Sequence, residues 1–218
     1  IDTPGHMETA RLVDIDGDGQ LDVLPNCIRR PGGEPFAEWW ELGKKRISRQ
    51  PEWIRHPLPA EIAGHGIGFG DLDGDGRGDI VGPRGWLQAP QDPRSGRWIM
   101  HSEFILDQDC GIPILVLDVD ADGDNDLVWG RGHRFGLYWL EQGKGSDGTR
   151  RWQRHAIDTS WSQPHALLLA DLDNDGTTEL ISGARYMGHD GKDPGEYDPL
   201  VAHRYWFDPK LKTWRSQL

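Results

Sequence analysis

The stretch GDLDGDGRGDIVG, residues 70–82, sets four aspartates and five glycines in thirteen positions and then runs into an apolar pair. A lone acidic turn of this kind could be a solvated loop. The pattern, however, returns three more times, as DIDGDGQLD (14–22), DVDADGDND (118–126) and DLDNDGTTE (171–179), against DLDGDGRGD (71–79) here. The starts lie 57, 47 and 53 residues apart. Such a period belongs to a propeller blade rather than to a solenoid turn.

Each acidic turn has the same surroundings. An apolar or small-residue run precedes it (ETARLV, GIGFG, PILVL, HALLLA) and a second follows it (LDVL, DIVG, DLVW, ELIS). A Trp-centred segment comes next (EWWEL, GWLQA, LYWLE, RYWFD), and then a closing one (EWIRHPL, RWIMHSE, RWQRHAI, TWRSQL). All four read as short strands between turn signals. The expected fold is therefore all-β: one β-propeller domain over 1–218, built of four-stranded antiparallel blades at about 6–58, 63–104, 110–158 and 163–218. Four blades can close a ring or form an arc of a larger seven- or eight-bladed one, and the sequence leaves both open, with exposed edges in the second case that would pair with further blades or another copy. The second Trp of each repeat (Trp53, Trp98, Trp152, Trp214) is expected to pack between blades.

Composition agrees with this. Over 218 residues, 29 Gly, 15 Pro and 11 Trp point to many short strands joined by turns. A net charge of −12 without a basic cluster argues against nucleic acid as partner, and no apolar run is long enough to span a bilayer. With only Cys27 and Cys110 the chain is no disulfide scaffold, though one bridge or two buried thiols both remain open. The chain begins at Ile1 with no leader, so any targeting signal is expected to have been removed or to lie outside this sequence.

The stretch GFGDLDGDGRGDIVG (68–82) resembles the FG-GAP or VCBS repeat of calcium-binding β-propellers, the type found in integrin heads and in secreted bacterial proteins. Blade 2 continues VGP where that family has Gly-Ala-Pro. The resemblance implies the propeller fold and the metal, while the family's functions are too diverse to transfer one. At the level of fold alone the chain is also similar to the calcium-bearing propellers of polysaccharide lyases and to the propeller of aldos-2-ulose dehydratase.

Positions 1, 3, 5 and 9 of the turns supply the expected metal ligands: Asp14, Asp16, Asp18 and Asp22; Asp71, Asp73, Asp75 and Asp79; Asp118, Asp120, Asp122 and Asp126; Asp171, Asp173, Asp175 and Glu179. Carboxylates crowded in this way need a cation, and calcium, which accepts six to eight oxygens in irregular geometry, suits them better than magnesium. An EF-hand is excluded, because it needs flanking helices and a Glu at position 12, where this chain has Pro25, Gly82, Trp129 and Ser182. Up to four structural calcium ions would bring the charge from −12 to about −4. Sites of this kind fill best at extracellular or periplasmic calcium, so the protein is expected to be secreted.

Function is expected at the opposite end of the blades, where the second-to-third-strand loops differ: PNCIRRPGGEPFA (25–37), GPRG (82–85), GRGHRFG (130–136) and GARYMGHDGKDPGEYDPLVAH (183–203). Each carries an arginine, Arg29 or Arg30, Arg84, Arg131 and Arg185, suited to an anionic or polyhydroxylated ligand. Eight and six residues before each turn stand His6 and Glu8, Ala63 and His65, Cys110 and Ile112, Gln163 and His165. A period of two would put each pair on one side of the first strand. His6, Glu8, His65 and His165 then form either a polar channel lining or a site, the latter able to hold a transition metal such as Zn²⁺ or to move protons.

The leading expectation is a module that binds a carbohydrate or another polar or anionic ligand through His6, Glu8, Arg84, His133, Trp161, Arg185, Tyr186 and His189. The alternative is a sugar lyase or dehydratase working by β-elimination, with His65, His165 and Arg131 as catalytic groups. A protein-docking scaffold is third. His56, His101 and His155 recur in the outermost strand and read as structural, and the connectors between the third and fourth strands, GKKRISRQP, PQDPRSG, KGSDGT and PKLK, show no evident chemistry.

Overall fold

A computed structural model describes residues 5–43 and 52–218. Among these described residues, sixteen strands form four separate four-stranded sheets, each antiparallel with neighbours in chain order. Blade 1 comprises β1 (His6–Val13), β2 (Asp22–Arg29), β3 (Ala37–Leu42) and β4 (Trp53–Leu58). Blade 2 comprises β5 (Gly68–Gly70), β6 (Asp79–Gly82), β7 (Gly85–Gln88) and β8 (Ile99–His101). Blade 3 is built from β9 (Leu115–Leu117), β10 (Asp126–Gly130), β11 (Phe135–Lys144) and β12 (Arg150–Ser162). Blade 4 is built from β13 (Leu167–Ala170), β14 (Glu179–Gly183), β15 (Ala202–Asp208) and β16 (Thr213–Gln217). The expected all-β, four-bladed architecture is therefore present. The chain groups into two compact units, residues 1–71 with 75–108, and residues 72–74 with 109–218. Among the described residues no helix is long and apolar enough to cross a membrane.

The acidic turns join the first two strands of every blade, and local chemistry shapes them. The first Asp accepts twice or more from the backbone it folds over: Asp118 takes N–H bonds from Asp122 at 3.2 Å and Gly123 at 3.0 Å, and Asp171 from Asp175 at 3.1 Å and Gly176 at 3.0 Å. Asp14 and Asp71 do the same. The bend needs left-handed backbone at the glycine after position 5, with φ of 84° at Gly19 and 94° at Gly123. The ninth residue turns inward. Asp22, Asp79, Asp126 and Glu179 are all buried, and the side chains of Asp22, Asp126 and Glu179 accept from the second residue of their own turn at 2.8–3.1 Å.

Tryptophans on the third strand anchor the blades. Trp39 and Trp86 are fully buried and Trp139 nearly so. Each stacks on a histidine of the fourth strand, His56, His101 and His155, at 4.0, 4.3 and 4.6 Å between ring centroids. The same histidines bond Glu41, Gln88 and Glu141 at 3.1, 3.2 and 2.7 Å. Three histidines expected to be structural are thus accounted for. Of the tryptophans expected between blades, Trp98 is buried and Trp214 meets Trp139 of the preceding blade edge-on at 6.5 Å, whereas Trp53 and Trp152 are only partly buried. Both cysteines are buried free thiols, and burial pushes the Cys27 thiol up to about 12.

One expectation about the first strands is corrected. Only in blade 1 do the two positions ahead of the turn lie in a strand, at His6 and Glu8. In the other blades Ala63 and His65, Cys110 and Ile112, Gln163 and His165 precede strands of three or four residues. Prolines explain it at two of these places, since Pro113 and Pro164 lack the N–H a ladder needs and Gln163 adopts a φ of 60°. No alternation of two therefore orders those side chains.

Candidate functional site

The third acidic turn shows what such a turn offers a cation. Asp118, Asp120 and Asp122 bring carboxylate oxygens within 4.8 Å of one another, and Asp14, Asp16 and Asp18 do so in the first. In the third turn one buried oxygen of Asp120 has no hydrogen-bond partner among the described residues. Burial, with Asp122 and Glu141 close by, raises the pKa of Asp120 above the carboxylate norm. Burial likewise lifts Asp126 to about 7 and Asp22 to about 6. A buried carboxylate oxygen without a donor is costly unless a cation meets it, so an all-oxygen donor set of this kind fits calcium.

At the other end of the blades each unit holds its own polar cluster. In the first unit Glu8 lies 3.0 Å from His65 Nε2 and 3.6 Å from His6 Nε2. The buried Asn26 side chain organises this corner, accepting from the N–H groups of Glu8 and Thr9 at 2.8 and 2.9 Å and donating to the His65 carbonyl at 3.0 Å. It fills a break in the β1–β2 register between Met7 and Ala10. Arg84 is exposed in the tight β6–β7 turn, and Arg30 lies over the Phe36 ring at 4.7 Å.

The second unit holds the denser cluster, and its hub is a residue the sequence reading passed over. One oxygen of Asp193 lies 2.9 Å from His133 Nδ1, 3.0 Å from His189 Nδ1 and 3.4 Å from the Arg185 guanidinium. The His133 and His189 rings stack at 4.5 Å, and His165 meets His133 edge-on at 5.6 Å. Arg185 is fixed from several sides, donating to Gln163 Oε1 at 2.8 Å and to the Gly132 carbonyl at 3.1 Å, and it also lies 2.8 Å from His133 Nδ1. Burial pushes the Asp193 pKa up, but the bonds from His133 and His189 outweigh it and leave the carboxyl below its ordinary range. The buried Glu196 braces the long loop by accepting from the His189 N–H at 2.6 Å. On the same loop Tyr186 and Tyr197 are 58% and 64% exposed and meet edge-on at 6.4 Å.

His133 Nδ1 has two candidate partners, and each calls for a different tautomer. Protonated, Nδ1 donates to Asp193 and leaves Nε2 a base; unprotonated, it accepts from Arg185 and Nε2–H becomes a hydrogen-bond donor.

One expected residue is placed elsewhere. Trp161 is not on a ligand surface: it is buried in the core of the second unit, donating from Nε1 to the Tyr205 hydroxyl at 2.8 Å, because the thirteen-residue β12 carries it inward. Arg131 is held by Asp109, at 2.9 and 3.1 Å. Asp193 and Glu196 had a faint signal in HDGKDPGE, where an acid follows His189 by four residues. Asn26 and Asp109 had none, since the Glu8 backbone and the Arg131 guanidinium that they bond stand 18 and 22 residues away along the chain.

Residues 118–182, from the third acidic turn into β14, match the model of the FG-GAP-like repeat. No curated protein matches the chain. The matched segment spans the turns of blades 3 and 4, and their geometry is repeated in blades 1 and 2. Residues 118–182 therefore carry an FG-GAP-like repeat, set within an all-β, four-bladed fold.

Proposed function

We propose that this protein is an exported, calcium-stabilised propeller module that binds a carbohydrate or related polar, anionic ligand beside Asp193. The observation that carries this reading is the long blade 4 loop, which exposes Tyr186 and Tyr197 and carries Arg185, His189 and Asp193, clustered with His133. Exposed aromatic faces suit the apolar side of a sugar ring, and a fixed guanidinium with imidazoles suits its hydroxyls or a carboxylate. Calcium in the acidic turns is supported by the convergent carboxylates and the unpartnered Asp120 oxygen. Zinc at His133, His189 and Asp193 would have to displace a guanidinium 2.8 Å from His133, so the reading gives that place to Arg185. Export follows from the calcium reading alone.

Affinity electrophoresis through gels cast with neutral or uronate-containing polysaccharide tests the binding claim. The expected result is retardation of the wild type, lost in Tyr186→Ala/Tyr197→Ala and weakened in Arg185→Gln. Retardation that survives these changes, or none in any gel, contradicts it. The two tautomers open to His133 favour a second reading, a β-eliminating lyase or dehydratase. That reading requires unsaturated product from an acidic polysaccharide, abolished in His133→Ala with retardation kept.

A further inference from the structure

In the first unit the connector between β7 and β8 reaches the first acidic turn. Asp92 shapes that connector, accepting from the N–H of Arg94 at 3.0 Å, while its carbonyl accepts from Gly96 at 2.7 Å. Trp98, buried behind it, donates to the Pro93 carbonyl at 3.3 Å. Arg94 is thereby held out toward blade 1. Its guanidinium lies 2.5 Å from Asp16, 3.1 Å from Asp18 and 2.9 Å from Glu41, with a second bond to Glu41 at 3.0 Å from Nε. The Asp16 side chain is only 1% exposed. The connector, which the sequence marked as having no chemistry, supplies a cation to the turn.

Blades 3 and 4 offer the matching place in the second unit. Glu141 stands on β11 as Glu41 stands on β3, and its charge is felt at Asp120. The β15–β16 connector reaches this turn with Pro209 instead of an arginine. What remains is a cavity of about 550 Å³ lined by Asp120, Ala121, Pro209 and Arg204 among others, and the Arg204 guanidinium is held by Asp173 and Glu179 of the fourth turn. Two turns with the same backbone thus differ in whether the protein provides the positive charge itself.

We infer that Arg94 is the resident cation of the first acidic turn, so that this turn takes no calcium while the third one does. The inference rests on the calcium reading above. A guanidinium bonded to Asp18 and Glu41 and ion-paired with Asp16 competes with a divalent ion for the same oxygens.

Calcium stoichiometry tests it, measured by equilibrium dialysis of the chelator-stripped chain with calcium alone as probe. Arg94→Gln should bind one more ion than the wild type, and Arg94→Gln/Asp16→Asn should lose that ion again. Asp16→Asn alone should leave the wild-type number unchanged, and Asp120→Asn should lower it by one. An unchanged number in Arg94→Gln, together with a loss in Asp16→Asn alone, overturns the inference. Binding by Arg94→Gln with none by the wild type keeps Arg94 and removes calcium from the other turns; no binding by either overturns both. Melting with and without calcium shows that each variant folds, and only Arg94→Gln should gain calcium dependence over the wild type.

Discussion

Asp158 illustrates how a polar group pays its way inside the second unit. Its carboxylate accepts from the Tyr205 hydroxyl at 2.8 Å and from Ser160, while Tyr205 accepts in turn from Trp161. Burial pushes the Asp158 pKa up, but the bonds from Ser160 and Tyr205 prevail and hold it below its ordinary 3.8. A depressed carboxylate stabilises the fold fully above its unfolded value and loses that contribution as pH falls through the folded one. Asp158→Asn should therefore cost about 1–2 kcal/mol at neutral pH in urea unfolding. The gap from the wild type should close as pH falls below 3.8. A gap independent of pH would show that charge has no part in it. Ser160 is local to the IDTS run, but Tyr205, which ties Asp158 to Trp161, stands 47 residues from it and was not visible in the sequence.

At the scale of the element, the acidic turns were legible because their chemistry is local. Donor, acceptor and bend all fall within nine residues, so spacing alone carries the geometry. The segments entering blades 2, 3 and 4 were not: their first strands begin only at Gly68, Leu115 and Leu167, in blades 3 and 4 because of Pro113, Pro164 and a left-handed Gln163, and period-two counting runs back past those points. The Trp, His and carboxyl or amide set of the outer strands stood between these cases: recurrence marked the histidines as structural, but only pairing such as Trp139 with His155 shows why. His155→Ala removes a stacked ring and a 2.7 Å bond to Glu141 from the β11–β12 pair. It should lower stability by about 1–2 kcal/mol without altering polysaccharide binding. A loss of binding at unchanged stability would mean that the outer strands take part in recognition.

For the molecule as a whole, repetition and its breaks divide the labour. What recurs in every blade is the turn that joins the first two strands, and what differs is the second-to-third-strand loop, longest in blade 4, where Asp193 gathers His133, His189 and Arg185. That division could be read from the sequence, as could Arg185, His133, Tyr186 and His189; their hub could not. If calcium fills the acidic turns as proposed, it is a ligand bound only by the folded state and raises stability with its concentration. Scanning calorimetry in millimolar calcium and in chelator measures this most directly. A single site filled at a hundred times its dissociation constant adds about 2.7 kcal/mol, or roughly 5–10 °C for a chain of this size. The account predicts a melting temperature that climbs with calcium by at least that much; melting curves that overlay with and without calcium would contradict it.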